Sequence, residues 1–268
     1  MPSKNNANIS IDELKSLSTQ VRRDTIKMIF EAGSGHPAGS LSSVEIFVSL
    51  YFGILEKSDR FFLSNGHVCP SWYSTMMQAG LIEKDLLSTY AKIGSPLQGH
   101  PERARLSVVE NTSGPLGLGV AQAVGYAKAL KIDGKDGRVY ALSSDAEHEE
   151  GNHWEAVLLA SQFKLDNLIL FVDRNRIQIE TMTAQIAPLG SLTEKYSAFG
   201  WNTLEVNGHN FEEIFASVDS AKENLKSPTV IVANTVAGKG VSFMQSDPAW
   251  HAKAPTEEEF KLAMEELK

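Results

Sequence analysis

The sequence is poor in cysteine and in positive charge, and each shortage excludes a class of protein. Cys69 is the single cysteine, so no disulfide can form within the chain, and this usage suits a reducing compartment. The formal net charge of −8 argues against nucleic acid as a partner, because phosphate backbones bind basic surfaces. There is no apolar run of membrane-spanning length and no charged-then-apolar leader. We therefore expect a cytoplasmic protein with no nucleic-acid or membrane partner.

The 268 residues, 42% of them hydrophobic, can bury a sizeable core, since chains of this size remove about three quarters of their surface from water. Apolar runs typical of strands alternate with helical patterns, which predicts an α/β fold. We expect a single domain over residues 1–268. Within it, residues 1–10 are expected to be disordered and residues 256–268 to form a peripheral C-terminal helix.

One stretch, residues 139–179, organises the rest of the chain. Two apolar runs, 139–142 and 168–172, predict strands, and a helical pattern lies between them, which is the arrangement of neighbouring parallel strands. Asp145 and Asn175 each follow one of these strands, so we expect them at the sheet edge where α/β proteins bind ligands. Their oxygens suit a hard cation such as Mg²⁺. For Asp145 alone, a helix cap is an equally simple interpretation.

The segment Ser-Ser-Asp-Ala-Glu-His-Glu-Glu-Gly at 143–151, with Asn175 thirty residues after Asp145, resembles the diphosphate-binding motif of thiamine diphosphate enzymes. It is most similar to the motif of the transketolase family. The resemblance implies that Asp145, Asn175 and the backbone carbonyl of Ile177 bind Mg²⁺, with Ca²⁺ as an alternative. It also implies that Ala146 and Glu147 contact the thiamine diphosphate.

Two residues of this motif, Ser144 and Ala146, stand where the family usually has glycine. Glycine serves where a loop needs positive φ. If Ala146 must adopt positive φ, the strain is about 1–2 kcal/mol, which corresponds to roughly a tenfold loss of affinity. On this argument, Ala146→Gly should tighten cofactor binding by up to roughly tenfold.

Histidines in other segments extend the resemblance. A lone histidine in a loop is more often a surface residue than a catalyst, but His36, His67 and His100 each lie in a segment that matches transketolases. The match implies that His36 handles protons at substrate oxygens, and that His67 and His100 contact the cofactor diphosphate or the donor hydroxyl. His251 is implied as a fourth active-site histidine. The remaining three are expected to be structural or at the surface: His148, His153 and His209.

The resemblance covers about residues 14–255 and includes Gly114, Pro115 and Leu116, which match the loop along the thiazolium ring of the cofactor. It implies a three-layer α/β sandwich around a mostly parallel sheet. Transketolases usually continue into a pyrimidine-binding domain, so the chain resembles the N-terminal subunit of a split enzyme of the pentose phosphate pathway. Such an enzyme transfers a two-carbon ketol unit between sugar phosphates, and we expect activity only with a C-terminal subunit carrying the pyrimidine-binding domain, in a heterotetramer.

The contact with that subunit is expected to involve the small-residue helix 117–129 and the acidic run Glu147, Glu149 and Glu150. The same face could instead pair two copies of this chain. Two other functions remain open from the sequence. One is a related carbon–carbon ligase acting on another sugar or aldehyde. The other is a non-catalytic partner that has lost the cofactor, which is suggested by Ser144 and Ala146 in place of the usual glycines.

Overall fold

The structure is a computed structural model, and it describes residues 9–268. The expected disorder of residues 1–10 therefore falls mostly on residues outside this range. Two residues of this segment, 9 and 10, are described: Ile9 packs against an apolar cluster, and Ser10 caps the first helix. The Ser10 hydroxyl accepts the Glu13 N–H at 3.2 Å, and the Glu13 carboxylate accepts the Ser10 N–H at 2.8 Å.

Strands and helices alternate along much of the chain. The helices are α1 (Ile11–Ala32), α2 (Pro37–Ser42), α3 (Val44–Ser49, continued by a π-helical turn, Leu50–Ile54), α4 (Cys69–Gln78), α5 (Leu118–Ile132), α6 (Gly151–Gln162), α7 (Thr183–Ile186), α8 (Leu192–Ala198), α9 (Phe211–Glu223) and α10 (Glu257–Glu266). The strands are β1 (Arg60–Leu63), β2 (Val139–Ser144), β3 (Leu168–Arg174), β4 (Ile177–Gln178), β5 (Thr181–Met182), β6 (Asn202–Asn207) and β7 (Thr229–Asn234). Short 3₁₀ turns include Gly66–Val68 and Ala146–Glu149.

Five of the strands form one parallel sheet in the order β1-β2-β3-β7-β6. In the pair β2–β3, Val139 lies opposite Leu168 and Ser144 opposite Asp173, so the two strands end side by side. Helix α6 connects them, which is the arrangement predicted from the two apolar runs. β4 and β5 form a separate antiparallel hairpin directly after β3. The mostly parallel α/β fold is therefore confirmed.

Alternate residues of each strand face two different helix layers, because side chains of a strand point in turn to opposite faces. Tyr140 and Leu142 of β2 pack into the cluster that includes side chains of α3, α4 and α9. Val139 and Ala141 pack into the cluster that includes side chains of α5, α6 and α8. The sheet thus lies between two helix layers, which confirms the predicted three-layer sandwich.

The chain end returns to the first helix. Helix α10 packs along α1, where the Arg23 guanidinium donates to the carbonyl oxygens of Met264 and Leu267 at 3.0 and 2.9 Å. The rings of Phe30 and Phe260 stack with centroids 4.3 Å apart. Within residues 9–268, none of the helices combines the length and the apolar character that crossing a bilayer requires.

Candidate active site

A cleft of about 310 Å³ lies at the carboxyl ends of β2 and β3. Loops that are far apart in sequence line it together, as expected for the ligand-binding edge of a parallel sheet. Its lining contains His36, Gly39, His67, His100, Gly114, Leu116, Ser144, Ala146, Glu149, Glu150, Asn175, Ile177, Gln178, Ile179, Ala237 and His251. Most of the residues singled out from the sequence are therefore gathered around one space.

Four histidines converge on this cleft. The ring centroid of His36 lies 5.2 Å from that of His67, 6.0 Å from that of His100 and 5.3 Å from that of His251. The His67 and His251 rings are 5.6 Å apart. The structure thus brings together the four histidines for which the sequence implied an active-site role.

All four rings are held in the uncharged form. Burial, and then the nearby His251 and His100, lower the pKa of His36 to about 4. Burial and the neighbouring histidines hold the pKa of His67 well below its usual value. Burial also lowers the pKa of His100 and that of His251. At neutral pH each ring therefore offers one N–H donor and one acceptor nitrogen.

Small residues allow these loops to lie close together. Gly39 of α2 packs against the His67 turn, and a Cβ at this position would lie 3.1 Å from Val68 Cγ1 and 3.6 Å from His67 Nε2. A Cβ on Gly66 would lie 2.7 Å from Ser113 Oγ, which is closer than real Cβ contacts come. Glycine at these positions lets α2 and the loop before α5 approach His67 from two sides.

Asp145 and Asn175 are joined through the backbone of the two loops. The Asp145 carboxylate accepts the N–H of Ala146 and the N–H of Arg176, both at 2.9 Å. Asn175 Oδ1 accepts the Ile177 N–H at 3.0 Å, and its Nδ2 donates to Asp173 at 3.2 Å. Asn175 and Ile177 line the cleft, whereas the buried Asp145 borders a neighbouring cavity of about 380 Å³.

Two buried carboxyl groups lie at this edge of the sheet. Burial, and then the negative charge of Asp173, raise the pKa of Asp145 to about 7. Burial likewise raises the pKa of Asp173, although Ser42, Ser43, Thr235 and Asn175 all donate to its carboxylate. In the described part of the chain, no group of three His, Cys, Asp or Glu residues is arranged to hold a metal ion. A cation here would need amide and carbonyl oxygens as well as Asp145.

Ala146 has an ordinary backbone conformation, so the predicted strain is wrong. Outside glycine, positive φ in residues 9–268 occurs at Ala91, Lys164, Arg176, Ile179 and Ser246. Asp145, with φ −61° and ψ −46°, caps the 3₁₀ turn that begins at Ala146. The chain enters this turn directly from β2, and a right-handed turn places no special demand on a residue with a Cβ.

Glu147 lies beneath the cleft rather than in its wall. Its side chain is fully buried and accepts short hydrogen bonds from the Ser64 hydroxyl and the Gly117 N–H, and one from the Ser144 N–H at 3.2 Å. Burial raises the pKa of this carboxyl group to about 7. The carboxylate ties together the end of β1, the start of α5 and the end of β2. Glu147 is therefore not at the surface, and the expectation that it contacts a second subunit together with Glu149 and Glu150 is wrong.

The loop before α5 supplies only part of what was expected. Gly114 and Leu116 line the cleft, whereas Pro115 is exposed and does not contribute to the lining. Two lining residues without a predicted cofactor contact are Glu149 and Gln178, joined by a hydrogen bond of 2.8 Å from Gln178 to Glu149. The sequence could have indicated these two residues, because each lies a few positions after Asp145 or Asn175.

The other three histidines are interior residues, as expected for structural ones. His209 Nδ1 lies 2.8 Å from the carboxylate of Glu45, and its Nε2 accepts the Val236 N–H at 2.9 Å. Glu45 is also paired with Arg22 at 2.7 Å. His148 and His153 are buried together, with ring centroids 4.0 Å apart.

Residues 14–267 match the protein family described as "Transketolase, thiamine diphosphate binding domain". The chain belongs to the transketolase family. This match confirms the resemblance found in the sequence. It also confirms, for the family, the prediction of a transketolase-type transferase.

Two relatives match the chain almost end to end. An "apulose-4-phosphate transketolase" subunit from Actinobacillus succinogenes is 38% identical over 273 residues, which cover 97% of this chain and 98% of the relative. A "6-deoxy-6-sulfo-D-fructose transketolase" subunit from a Clostridium species is 36% identical and covers 95% of this chain and 96% of the relative. The chain thus matches transketolase subunits that are separate chains, which confirms the prediction that it resembles the N-terminal subunit of a split transketolase.

Full-length transketolases contain the same fold within a longer chain. The crystal structure of transketolase from Campylobacter jejuni superposes with a TM-score of 0.88 at 32% identity, covering 97% of this chain and 43% of that one. This transketolase-family chain therefore spans about two fifths of the full-length enzyme.

Proposed function

We propose that this chain is the diphosphate-binding subunit of a two-chain transketolase that transfers a two-carbon ketol unit from a ketose phosphate to an aldose phosphate. The observation that carries the proposal is the convergence of His36, His67, His100 and His251, all uncharged, on the cleft that Asn175 also lines. Neutral imidazoles suit proton exchange with substrate hydroxyl and carbonyl groups near neutral pH.

The proposed cofactors are thiamine diphosphate and Mg²⁺, with Ca²⁺ as an alternative ion, and the residues present fit them. The Asp145 carboxylate, the Asn175 amide oxygen and the Ile177 carbonyl form an all-oxygen donor set of the kind hard cations prefer. A cation there would relieve the repulsion between Asp145 and Asp173, both of which have raised pKa values. When bound, thiamine diphosphate supplies the electron sink for breaking and forming the carbon–carbon bond.

The cleft also holds buried polar atoms available to a ligand. His36 Nδ1, Glu149 Oε1 and Gln178 Oε1 are shielded from solvent and have no hydrogen-bond partner within residues 9–268. Unpaired buried polar atoms are costly and are usually satisfied by water or ligand. We assign His36 and His251 to proton exchange with substrate oxygens.

The remaining assignments complete the cleft. We assign His67, His100 and the backbone at Gly114 and Ala146 to contacts with the cofactor or the donor hydroxyl. Glu147 supports this region from below through Ser144 and Gly117.

A second subunit is part of the proposal, because two relatives that match this chain almost end to end are named as subunits. We propose a heterotetramer with two copies of each chain, in which the second chain carries the pyrimidine-binding domain. The proposed substrates are pentose phosphates or sugars of the kinds named for the relatives, which are a sugar phosphate and a sulfo-sugar.

Helices α5 and α6 present the surface that we assign to the contact between subunits. The exposed small or apolar residues of α5 recur every three or four positions, as in a helix face that packs on a partner. They are Leu118, Ala121, Gly125, Ala129 and Ile132. Beside them α6 exposes Leu158 and Leu159, and Leu158 keeps 54% of its surface accessible. A Cβ on Gly125 would meet no atom within 4 Å, so this chain alone does not need glycine there. Contiguous exposed apolar side chains mark interaction surfaces.

The contact can be tested with two matched substitutions. Ala129 and Ala216 are both exposed alanines on helices, on opposite helix layers. We expect Ala129→Arg to abolish the complex with the second chain in sedimentation velocity and Ala216→Arg to leave it intact. If Ala129→Arg instead splits a dimer of this chain and leaves binding of the second chain unchanged, the surface pairs two copies of this chain.

The activity is tested by assaying ketol transfer from xylulose 5-phosphate to ribose 5-phosphate, with and without the second chain. Apulose 4-phosphate and 6-deoxy-6-sulfofructose serve as alternative donors, because relatives are named for them. We expect turnover only with both chains present. Full activity of this chain alone would refute the two-chain proposal, and activity confined to the alternative donors would show that xylulose 5-phosphate is not the donor.

The metal assignment is tested by calorimetry on the two-chain complex. Asp145→Ala should abolish thiamine diphosphate binding in the presence of Mg²⁺. Asp136→Ala, which removes an exposed carboxylate distant from the cleft lining, is the charge-matched control and should bind normally. Equal affinity of the two variants would contradict the role of Asp145.

A further inference from the structure

Three buried aromatic side chains form a continuous hydrogen-bonded chain beneath the loop that carries Asp145. His148 Nδ1 lies 2.9 Å from the carbonyl oxygen of Ser144 and 3.1 Å from that of Asp145. His148 Nε2 lies 2.9 Å from the Tyr196 hydroxyl, which lies 2.7 Å from His153 Nε2. His148, Tyr196 and His153 are at most 2% exposed, so solvent does not compete for these contacts.

The partners decide where each hydrogen lies. Carbonyl oxygens only accept, so Nδ1 of His148 must carry a hydrogen. A buried imidazole that contacts no carboxylate stays neutral, so Nε2 of His148 carries no hydrogen and accepts from the Tyr196 hydroxyl. The Tyr196 oxygen then accepts from the Nε2–H of His153, whose Nδ1 is buried without a partner in the described structure. Each donor in the chain therefore points toward the Asp145 loop.

The direction of these bonds has a consequence for the loop backbone. The C=O and N–H of a trans peptide point in opposite directions. Because His148 holds the Asp145 carbonyl, the N–H of Ala146 is directed to the other side, where it donates to the Asp145 carboxylate at 2.9 Å. The His148 backbone N–H adds a second bond to the same carbonyl at 3.0 Å. The orientation of the carboxylate thus depends on a carbonyl that is fixed from below.

We propose that His148, Tyr196 and His153 are positioning residues that orient the Asp145 carboxylate for cation and cofactor binding. This inference rests on the proposed function, because it concerns the group that Asp145 would hold. It also accounts for a loop that keeps its shape with alanine at position 146 and without positive φ. Side chains from α6 and α8 supply the restraint.

The direction of the chain can be tested without cofactor or second subunit. NMR of the purified chain with ¹⁵N-labelled histidine reports which ring nitrogen carries hydrogen. We expect His148 as the Nδ1–H tautomer and its neighbour His153 as the Nε2–H tautomer. Any other combination would overturn the proposed direction of the hydrogen-bonded chain.

The positioning role is tested by calorimetry of Mg²⁺–thiamine diphosphate binding to the two-chain complex. His148→Leu should weaken binding at least about tenfold, the lower end for partners that orient metal ligands. His148→Asn, whose amide N–H lies close to the position of Nδ1, should restore most of the affinity. Equal affinity of the Leu, Asn and parent proteins would overturn the proposal.

A tyrosine pair keeps the test decisive if His148→Leu fails to fold. Tyr196→Phe removes the hydroxyl between the two histidines, and Tyr140→Phe removes a buried hydroxyl that has no partner in residues 9–268. We expect weaker cofactor binding for Tyr196→Phe and parental binding for Tyr140→Phe, and equal affinity of the two would overturn the proposal. If the parent complex itself binds no thiamine diphosphate, the proposed function fails, and the positioning role fails with it.

Discussion

Two groups of histidines in this chain, the four of the cleft and the pair His148 and His153, differ in what surrounds them, although desolvation lowers the pKa values in both groups. His36, His67, His100 and His251 line a cleft, and Nδ1 of His36 has no partner within residues 9–268. His148 has both ring nitrogens engaged by carbonyl oxygens and the Tyr196 hydroxyl. Lowered pKa values do not distinguish the groups, because burial acts on both. Access to a cavity distinguishes them, and it separates residues that can react from residues that hold others in place.

The largest effect should follow from a change in the cleft group. We expect His36→Gln to lower kcat of the two-chain enzyme roughly 100-fold or more, the range for loss of a group that transfers protons. The free energy of unfolding should change little, because Nδ1 has no hydrogen bond to lose. Steady-state kinetics and denaturant unfolding measure the two quantities. An unchanged kcat would place His36 with the structural histidines.

A structural histidine should show the opposite pattern. His209→Ala removes one of the two partners of the buried Glu45 carboxylate, the other being Arg22, and leaves the Val236 N–H unpaired. Leaving such groups unpaired costs about 1–3 kcal/mol of unfolding free energy. Cofactor affinity, measured by calorimetry, should stay at the parental value. A loss of affinity without loss of stability would contradict the structural role of His209.

The stability of the protein should depend on pH through His36. Its pKa is about 4 in the folded chain against 6.5 for an ordinary histidine, so the unfolded chain takes up this proton first as the pH falls. The stability linked to His36 is therefore complete above about pH 6.5 and is lost as the pH falls toward about 4.

Denaturant unfolding between pH 4 and 7 measures this linkage. The unfolding free energy of the parent should fall relative to that of His36→Gln as the pH falls through this window. Asp145 and Glu147, whose pKa values are raised to about 7, have the opposite effect, because their contribution is lost as the pH rises through it. Both proteins share these carboxyl groups, so the comparison cancels them, and parallel curves would contradict the assignment for His36.

The smallest effect is expected at Ala146. Because its φ is ordinary, Ala146→Gly relieves no strain and should not tighten cofactor binding. The added chain entropy of glycine should cost about 0.5–1 kcal/mol of unfolding free energy. Calorimetry and thermal unfolding check both expectations. A tenfold gain in affinity would show that the loop needs positive φ when the cofactor is bound.

The local sequence pattern predicted which residues lie at the sheet edge, but it did not predict the buried hydrogen bonds beneath that edge. The apolar runs of β2 and β3 predicted parallel neighbours, and this placed Asp145 and Asn175 at one edge. The acidic run around Glu147 was interpreted as a surface feature, because the groups that satisfy this carboxylate, Ser64 and Gly117, are distant in sequence. Burial of a charged side chain depends on such remote donors.

The same limit applies to the histidines. Nothing in the segment around His148 indicates Tyr196, which lies 48 positions away in α8. The four cleft histidines were found through resemblance to a family, since spacing alone gives no reason for loops around His36 and His251 to meet. The restraint at Ala146 was misjudged because a glycine requirement was inferred from the motif, whereas the backbone enters the turn from β2 in a right-handed conformation.

The exposed apolar face of α5 and α6 has a consequence for how such a protein is produced. Under the proposed two-chain arrangement, a copy made in excess keeps Leu158 and Ile132 uncovered, with 54% and 72% of their surfaces accessible. Surfaces of this kind are what chaperones and proteases recognise in unassembled chains. The lifetime of this chain then depends on synthesis of the second chain in equal amount. An unassembled copy should be degraded faster than an assembled one.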